Sequence, residues 1–100
     1  MIRTVRYTLR GVEFEWDPAK AASNLLRHGV PFEVACEVFF DRFVRMADAD
    51  GTDEARDAAI GYTESRSLLF VIHLIRHEEV IRIISARNAT RQERRAYEEL

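Results

Sequence analysis

The sequence predicts an α+β fold with two N-terminal helices, an antiparallel sheet of four to six strands and a C-terminal helix. Three observations carry that reading. Apolar residues recur at helical spacing between residues 18 and 41, four stretches between 43 and 87 follow the period of a strand, and Thr90-x-x-Glu93 forms a capping box that opens a last helix.

Taken in order, Val5, Tyr7 and Leu9 alternate with polar residues, and so do Val12, Phe14 and Trp16, with opposite parity. A bulge or a turn at Gly11 would reconcile the two strands. Asp17-Pro18 supplies a helix cap and a first-turn proline, and Ala22, Leu25 and Leu26 continue as an apolar stripe that stops at Gly29. Helix one is therefore expected over 18–28. Pro31 followed by Phe32, Ala35, Cys36 and Phe39 gives a second helix ending near Asp41, and the pair forms a hairpin with a short connection. Strands follow over 43–46, 58–63, 67–76 and 79–87, the last two joined by a tight turn at His77-Glu78. Residues 67–75 are apolar on both faces, which predicts a central strand covered twice. The acidic stretch 48–54 is turn-rich, departs from calcium-loop spacing and reads as a solvated loop.

A chain of 100 residues with 47% hydrophobic and 32% charged content is expected to form one domain over 1–100. No apolar run approaches the ~20 residues that span a bilayer and no signal-peptide core follows Met1, so no membrane association and a cytoplasmic location are expected. Cys36 is the single cysteine and is read as a small buried side chain. Net charge is −2, yet residues 1–65 carry 8 basic and 12 acidic groups while 66–100 carry 7 basic and 5 acidic. Lys20 is the sole lysine among 15 basic residues, so forked guanidinium recognition dominates the available chemistry.

The segment 80–99 concentrates that chemistry. By strict alternation Ile81, Ile83, Ser85 and Arg87 share one strand face and Val80, Arg82, Ile84 and Ala86 the other, so Arg82 and Arg87 are expected on opposite sides. Arg87 precedes the Thr90 cap and Arg91 follows it, and the free amides of a helix start attract anions. A phosphate there is one reading; a solvated helix with Arg94 paired to Glu98 is the other.

Phe14-Glu-Trp-Asp-Pro-Ala-Lys20, Asn24-Leu-Leu-Arg-His-Gly29, Phe32-Glu-Val-Ala-Cys-Glu-Val-Phe39, Ile60-Gly61 and Arg82-Ile-Ile-Ser-Ala-Arg-Asn-Ala-Thr-x-x-Glu-Arg94 stand in an order that resembles the BrnT family of toxins, over roughly residues 12–99. The resemblance implies a RelE-like fold, a metal-independent endoribonuclease that inhibits translation without a cofactor, and a type II toxin–antitoxin pair in which a BrnA-like antitoxin forms a hetero-oligomer with the toxin. RNA, free or on the ribosome, would be the substrate. Residues 1–11 form an N-terminal extension that either adds an edge strand or reflects an earlier start codon, and Pro31 and Asn88 replace the family's more usual serine and basic residue.

Cleavage by the 2′-hydroxyl needs a base, an acid and positive charge on the phosphorane. Arg87 is the first candidate for the phosphate, with Arg76 and Arg82 beside it as matches to the family's basic positions; Arg82 alternatively holds a carboxylate on its own face. His28 titrates near neutrality as a residue type but sits in a last helical turn, where a cation meets the helix dipole. Tyr97 is either an acid or a packing residue, four positions after Glu93. Arg91, Arg94 and Lys20 are the expected RNA contacts. His73 and His77 would stand ~13 Å apart on an extended strand, which speaks against a shared metal. The rival functions are an inactive, toxin-like binding module and a DNA-binding regulator, which the alternation of arginine and glutamate in the last helix serves poorly.

Overall fold

The computed structural model describes residues 3–48 and 56–99; the acidic loop expected over 48–54 lies, from residue 49 on, outside them. In chain order the elements are β1 (Val5–Leu9), β2 (Val12–Trp16), α1 (Pro18–His28), α2 (Phe32–Ala35) continued by a 3-10 turn over Cys36–Phe40, β3 (Arg45–Asp48), β4 (Asp57–Tyr62), β5 (Leu68–Arg76), β6 (Val80–Asn88) and α3 (Arg91–Glu98). Among the described residues six strands form one sheet in the order β1-β2-β6-β5-β4-β3.

The α+β class holds, with three corrections to the arrangement. A hairpin precedes the helices, so they are not N-terminal: β1 pairs with β2 around Arg10 (φ 50°) and Gly11 (φ 83°), a two-residue turn that puts Val5, Tyr7 and Leu9 opposite Trp16, Phe14 and Val12. β1 stands at one edge of the sheet. The sheet is mixed rather than antiparallel, because β6 returns beside β2 in the same direction, with Phe14 opposite Ile81 and Glu15 opposite Arg82. Such a parallel pair requires a long crossover, and α1, α2 and three strands provide it. The second helix keeps α geometry only to Ala35 before tightening. Spacings of three are shared by both helix types, so the apolar pattern could not separate them.

One sheet face packs on α1, α2 and the 3-10 turn. Its core contains Phe14, Trp16, Phe32, Ala35, Cys36, Val38, Leu69, Val71, Ile83 and Ala86, all buried. Trp16 meets Phe32 edge-on at 5.7 Å and Tyr7 at 5.6 Å, and Phe14 lies 5.7 Å from Phe39. Burial pushes the Cys36 thiol far up, as befits a small apolar filler. Gly61 lets the 3-10 turn approach β4: a Cβ there would stand 2.9 Å from the Val38 carbonyl oxygen and 3.1 Å from its Cβ.

Double coverage of β5 is only partial. Leu69, Val71 and His73 are buried on the helix side, whereas on the other side Leu68 is buried but Phe70, Ile72 and Leu74 are only half-buried. There α3 leans on β4, Tyr97 meeting the Tyr62 ring edge-on at 5.3 Å, and leaves the rest of that face open. Helix α1 is also turned from the expected orientation. Leu25 and Leu26 are 48% and 88% exposed and Asn24 is the buried residue. Its amide has three partners to reach in the interior, and that requirement overrides the apolar stripe.

Replacing Gly61 by alanine is expected to destabilise the fold by roughly 1–3 kcal/mol through overpacking against Val38. Urea denaturation would show a lower midpoint at unchanged slope; an unchanged midpoint would mean the 3-10 turn yields freely.

Candidate functional site

The decisive feature of β6 is one extra residue. Ile72 pairs with Ser85 but the next residue of β5, His73, pairs with Ile83, so Ile84 bulges out of the ladder. Downstream of it every side chain changes face. Arg82 opposite Leu74, Ser85 opposite Ile72 and Arg87 opposite Phe70 therefore share the open face of the sheet. This corrects the expectation that Arg82 and Arg87 diverge; Ile83-Ile84 reads as ordinary apolar strand and hides the bulge.

Three arginines on this face are oriented by carboxylates. Glu15, with 5% of its side chain exposed, accepts from Arg82 Nη1 at 2.7 Å and from Arg76 Nη1 at 3.2 Å through the same oxygen, Oε2. The two cations share one anion, leaving the cluster at +1. Removing Arg82, the closer and more buried partner, would strip a buried carboxylate of its main support. Arg87 is gripped by Glu93 through two parallel bonds, Nη1 to Oε1 at 2.7 Å and Nη2 to Oε2 at 2.8 Å, and its guanidinium lies 4.3 Å over the Phe70 ring. Hydrogen bonding to Glu93 raises the Arg87 pKa and, reciprocally, holds the Glu93 carboxyl below its ordinary value.

Helix α1 supplies the other wall. β2 pairs with β6 only at Ile81 and Arg82, and beyond Trp16 the outer edge of β6 has no strand beside it. Asn24 takes its place: Nδ2 donates to the Ala86 carbonyl at 2.8 Å and to the Val30 carbonyl at 3.1 Å, and Oδ1 accepts from the Ala86 amide at 3.0 Å. Lys20 and His28 stand one turn before and after Asn24 on the same side of α1. A groove follows the edge of β6. One hollow of about 340 Å³ is lined by Lys20, Ser23, Asn24, Arg27, His28, Ile84 and Ser85. A second of about 470 Å³, sharing Lys20 and Ile84, is lined by Arg56, Leu74, Ile75, Arg76 and Arg82.

Of the sequence candidates the structure thus gathers Lys20, His28, Arg76 and Arg82 around one groove, with Arg87 on the same sheet face two residues beyond Ser85. Arg91 is exposed in the first turn of α3. Arg94 turns to the Tyr62 hydroxyl at 3.0 Å rather than to Glu98. Tyr97 stands elsewhere, donating to Asp41 Oδ2 at 2.6 Å. Burial and then this bond push its pKa up to about 12. Burial also pushes the Asp41 carboxyl up, but bonds from Tyr97 and from the amides of Tyr62 and Phe43 outweigh it and hold the group below its ordinary value. His73 is buried edge-on against Phe39 at 4.8 Å, and burial lowers its pKa. Sequence reasoning left Arg27, Ser85, Glu15 and Asn24 out of the site. Arg27, one residue before His28, could have been found from the helix period; Ser85 and Glu15 required the bulge and the parallel pairing.

The family model for "Ribonuclease toxin, BrnT, of type II toxin-antitoxin system" matches residues 16–93. A crystal structure of the Brucella abortus ribonuclease toxin BrnT superposes with a TM-score of 0.55 at 25% identity, covering 76% of this chain and 94% of that chain. No curated protein sequence matches the chain.

Tyr97→Phe is expected to lower stability by roughly 1–2 kcal/mol at neutral pH, since it removes a hydrogen bond to a charged partner. A carboxyl held down in the folded state stabilises above its unfolded pKa of about 4 and loses that contribution as pH falls through the folded value. The gap between wild type and variant should therefore narrow in acid, and also as pH rises from ~10 toward the Tyr97 value of about 12. Thermal melts across pH would check this; a gap constant with pH would detach Tyr97 from Asp41.

Proposed function

The chain belongs to the BrnT family of ribonuclease toxins of type II toxin–antitoxin systems, and from that premise we propose that it is a metal-independent endoribonuclease that cuts RNA in the groove between α1 and β6. The observation that carries this reading is the bulge at Ile84, which brings Arg87 onto the face already occupied by Arg76 and Arg82. Six basic side chains, Lys20, Arg27, His28, Arg56, Arg76 and Arg82, line the two hollows, and Arg87 follows on the same sheet face beyond Ser85. A single RNA strand laid along them would meet phosphate-binding groups throughout.

In this reading the 2′-oxygen attacks the adjacent phosphorus, the bond from phosphorus to the 5′-oxygen breaks, and a 2′,3′-cyclic phosphate and a 5′-hydroxyl result. A proton leaves the 2′-hydroxyl and one reaches the departing oxygen. Charge builds on the non-bridging oxygens, where Arg87 acts, and Arg82 and Arg76 hold a flanking phosphate. His28 is the imidazole of the groove and takes part in that proton exchange. Lys20 and Arg27 steer the strand, Arg91 and Arg94 extend the positive surface along α3, and Tyr97 serves the seating of α3 on Asp41. Cleavage of cellular RNA inhibits translation in the RelE-like manner, and a BrnA-like antitoxin neutralises the protein by covering the groove or its edge. The site needs no cofactor.

Arg87→Ala tests the reading with less damage than Arg82→Ala, which would orphan buried Glu15. Wild-type expression should arrest a heterologous bacterium and create new RNA 5′ ends, and Arg87→Ala should lower cleavage by about 10²–10³-fold. Intact RNA with soluble wild type would favour the inactive binding module. Oligonucleotide affinity should fall with salt, and Lys20→Ala should reduce the logarithmic slope by about 0.7; an unchanged slope would remove Lys20 from the path.

A further inference from the structure

We infer that Glu93 is a positioning residue for this reaction: it grips Arg87 end-on so that the side edge of the guanidinium, Nε–H with one Nη2 hydrogen, is left presented to a phosphate. The inference rests on the ribonuclease reading and goes beyond it, since that reading asks only for positive charge at Arg87.

A guanidinium has five N–H donors in a fixed plane. Nη1 commits both of its hydrogens, to Glu93 Oε1 at 2.7 Å and to the Asn88 carbonyl at 3.2 Å. Nη2 commits one, to Glu93 Oε2 at 2.8 Å. The two that remain lie side by side along the opposite edge, and neither meets an acceptor among the described residues. Two parallel N–H bonds in that spacing match two phosphate oxygens. The Phe70 ring, 4.3 Å away, fixes the plane from one side.

Glu93 is itself held. Its Oε1 accepts from the Thr90 amide at 2.9 Å, and its own amide donates to Thr90 Oγ1 at 3.1 Å, the reciprocal capping box of α3. The carboxylate is therefore anchored in the first helical turn before it touches Arg87. The chain of support runs from the α3 cap to Glu93 to Arg87, and orientation exists before substrate arrives. A carboxylate that merely competed with the phosphate would occupy the bidentate edge; here it occupies the end and leaves an edge of equal geometry open.

Glu93→Gln separates the roles, because glutamine still completes a capping box but offers Arg87 one acceptor instead of two. Gly61→Ala is the structural control, lowering stability at the contact with Val38 without touching Arg87, Glu93 or the α3 cap. Steady-state cleavage of an RNA oligonucleotide, thermal melts and the Arg87 Nε–H resonance with and without a non-cleavable 2′-deoxy oligonucleotide would be measured. The expected result is a loss of about tenfold or more in kcat for Glu93→Gln with KM within about twofold, while Gly61→Ala lowers Tm at least as much and keeps kcat. A rise in kcat for Glu93→Gln, or a kcat that falls with Tm equally in both variants, overturns the inference. A wild type that cleaves no RNA overturns the ribonuclease reading instead. The resonance then decides for Glu93: a shift on oligonucleotide addition that disappears in Glu93→Gln supports it, and no shift in wild type overturns it.

Discussion

The amide of Asn24 does what a strand would otherwise do. β2 leaves β6 after Arg82, and the exposed backbone of Ala86 would then face the interior with neither donor nor acceptor beside it. Buried peptide groups without partners cost more than most single contacts return. Asn24 answers both groups from the side of a helix and ties α1 to Val30 as well. Two consequences reach the surface. Helix α1 is held along the edge of β6, which brings Lys20 and His28 to the groove, and the same rotation turns Leu25 and Leu26 outward. The orientation of α1 is set by hydrogen bonding rather than by its apolar side chains.

Around that clamp the charges follow a common scheme. Arg76, Arg82 and Arg87 are each steadied by an acid that is less exposed than the arginine: Glu15 beneath Arg76 and Arg82, Glu93 beside Arg87. Long cationic side chains carry much rotational freedom, and an anion that holds one end reduces what a ligand must order. The acids also lower the net charge of the site, so it relies on direction more than on density of charge. That suits a chain whose overall balance is −2.

Much of this was legible in the residues. Asp17-Pro18 and Gly29 bound α1 as they do in the structure, the Thr90-x-x-Glu93 box opens α3 where expected, and the His77-Glu78 turn carries φ of 52° and 66°. These signals are local, and local chemistry decides them. What escaped depends on partners distant in sequence. Glu15 meets Arg82 across 67 positions and Asn24 meets Ala86 across 62, so neither the parallel pair nor the rotation of α1 is written in any short window. The bulge escaped for another reason: Ile83 and Ile84 are alike in type, and alternation cannot register an extra residue whose neighbour resembles it. Since Arg87 lies beyond that residue, its place near the strand end was legible while its side of the sheet was not.

Ile84 is a residue the ladder does not need. Excising it would leave Ile83 followed directly by Ser85, still opposite His73 and Ile72, and Arg87 would keep its place opposite Phe70 on the side of Arg82. The opposite change is the damaging one: were Ile84 drawn into regular pairing, each later residue would slip one place along β5, setting Arg87 opposite Leu69 on the buried side and turning Ala86 out to water. Position 84 thus tolerates a gap better than it tolerates a straight strand.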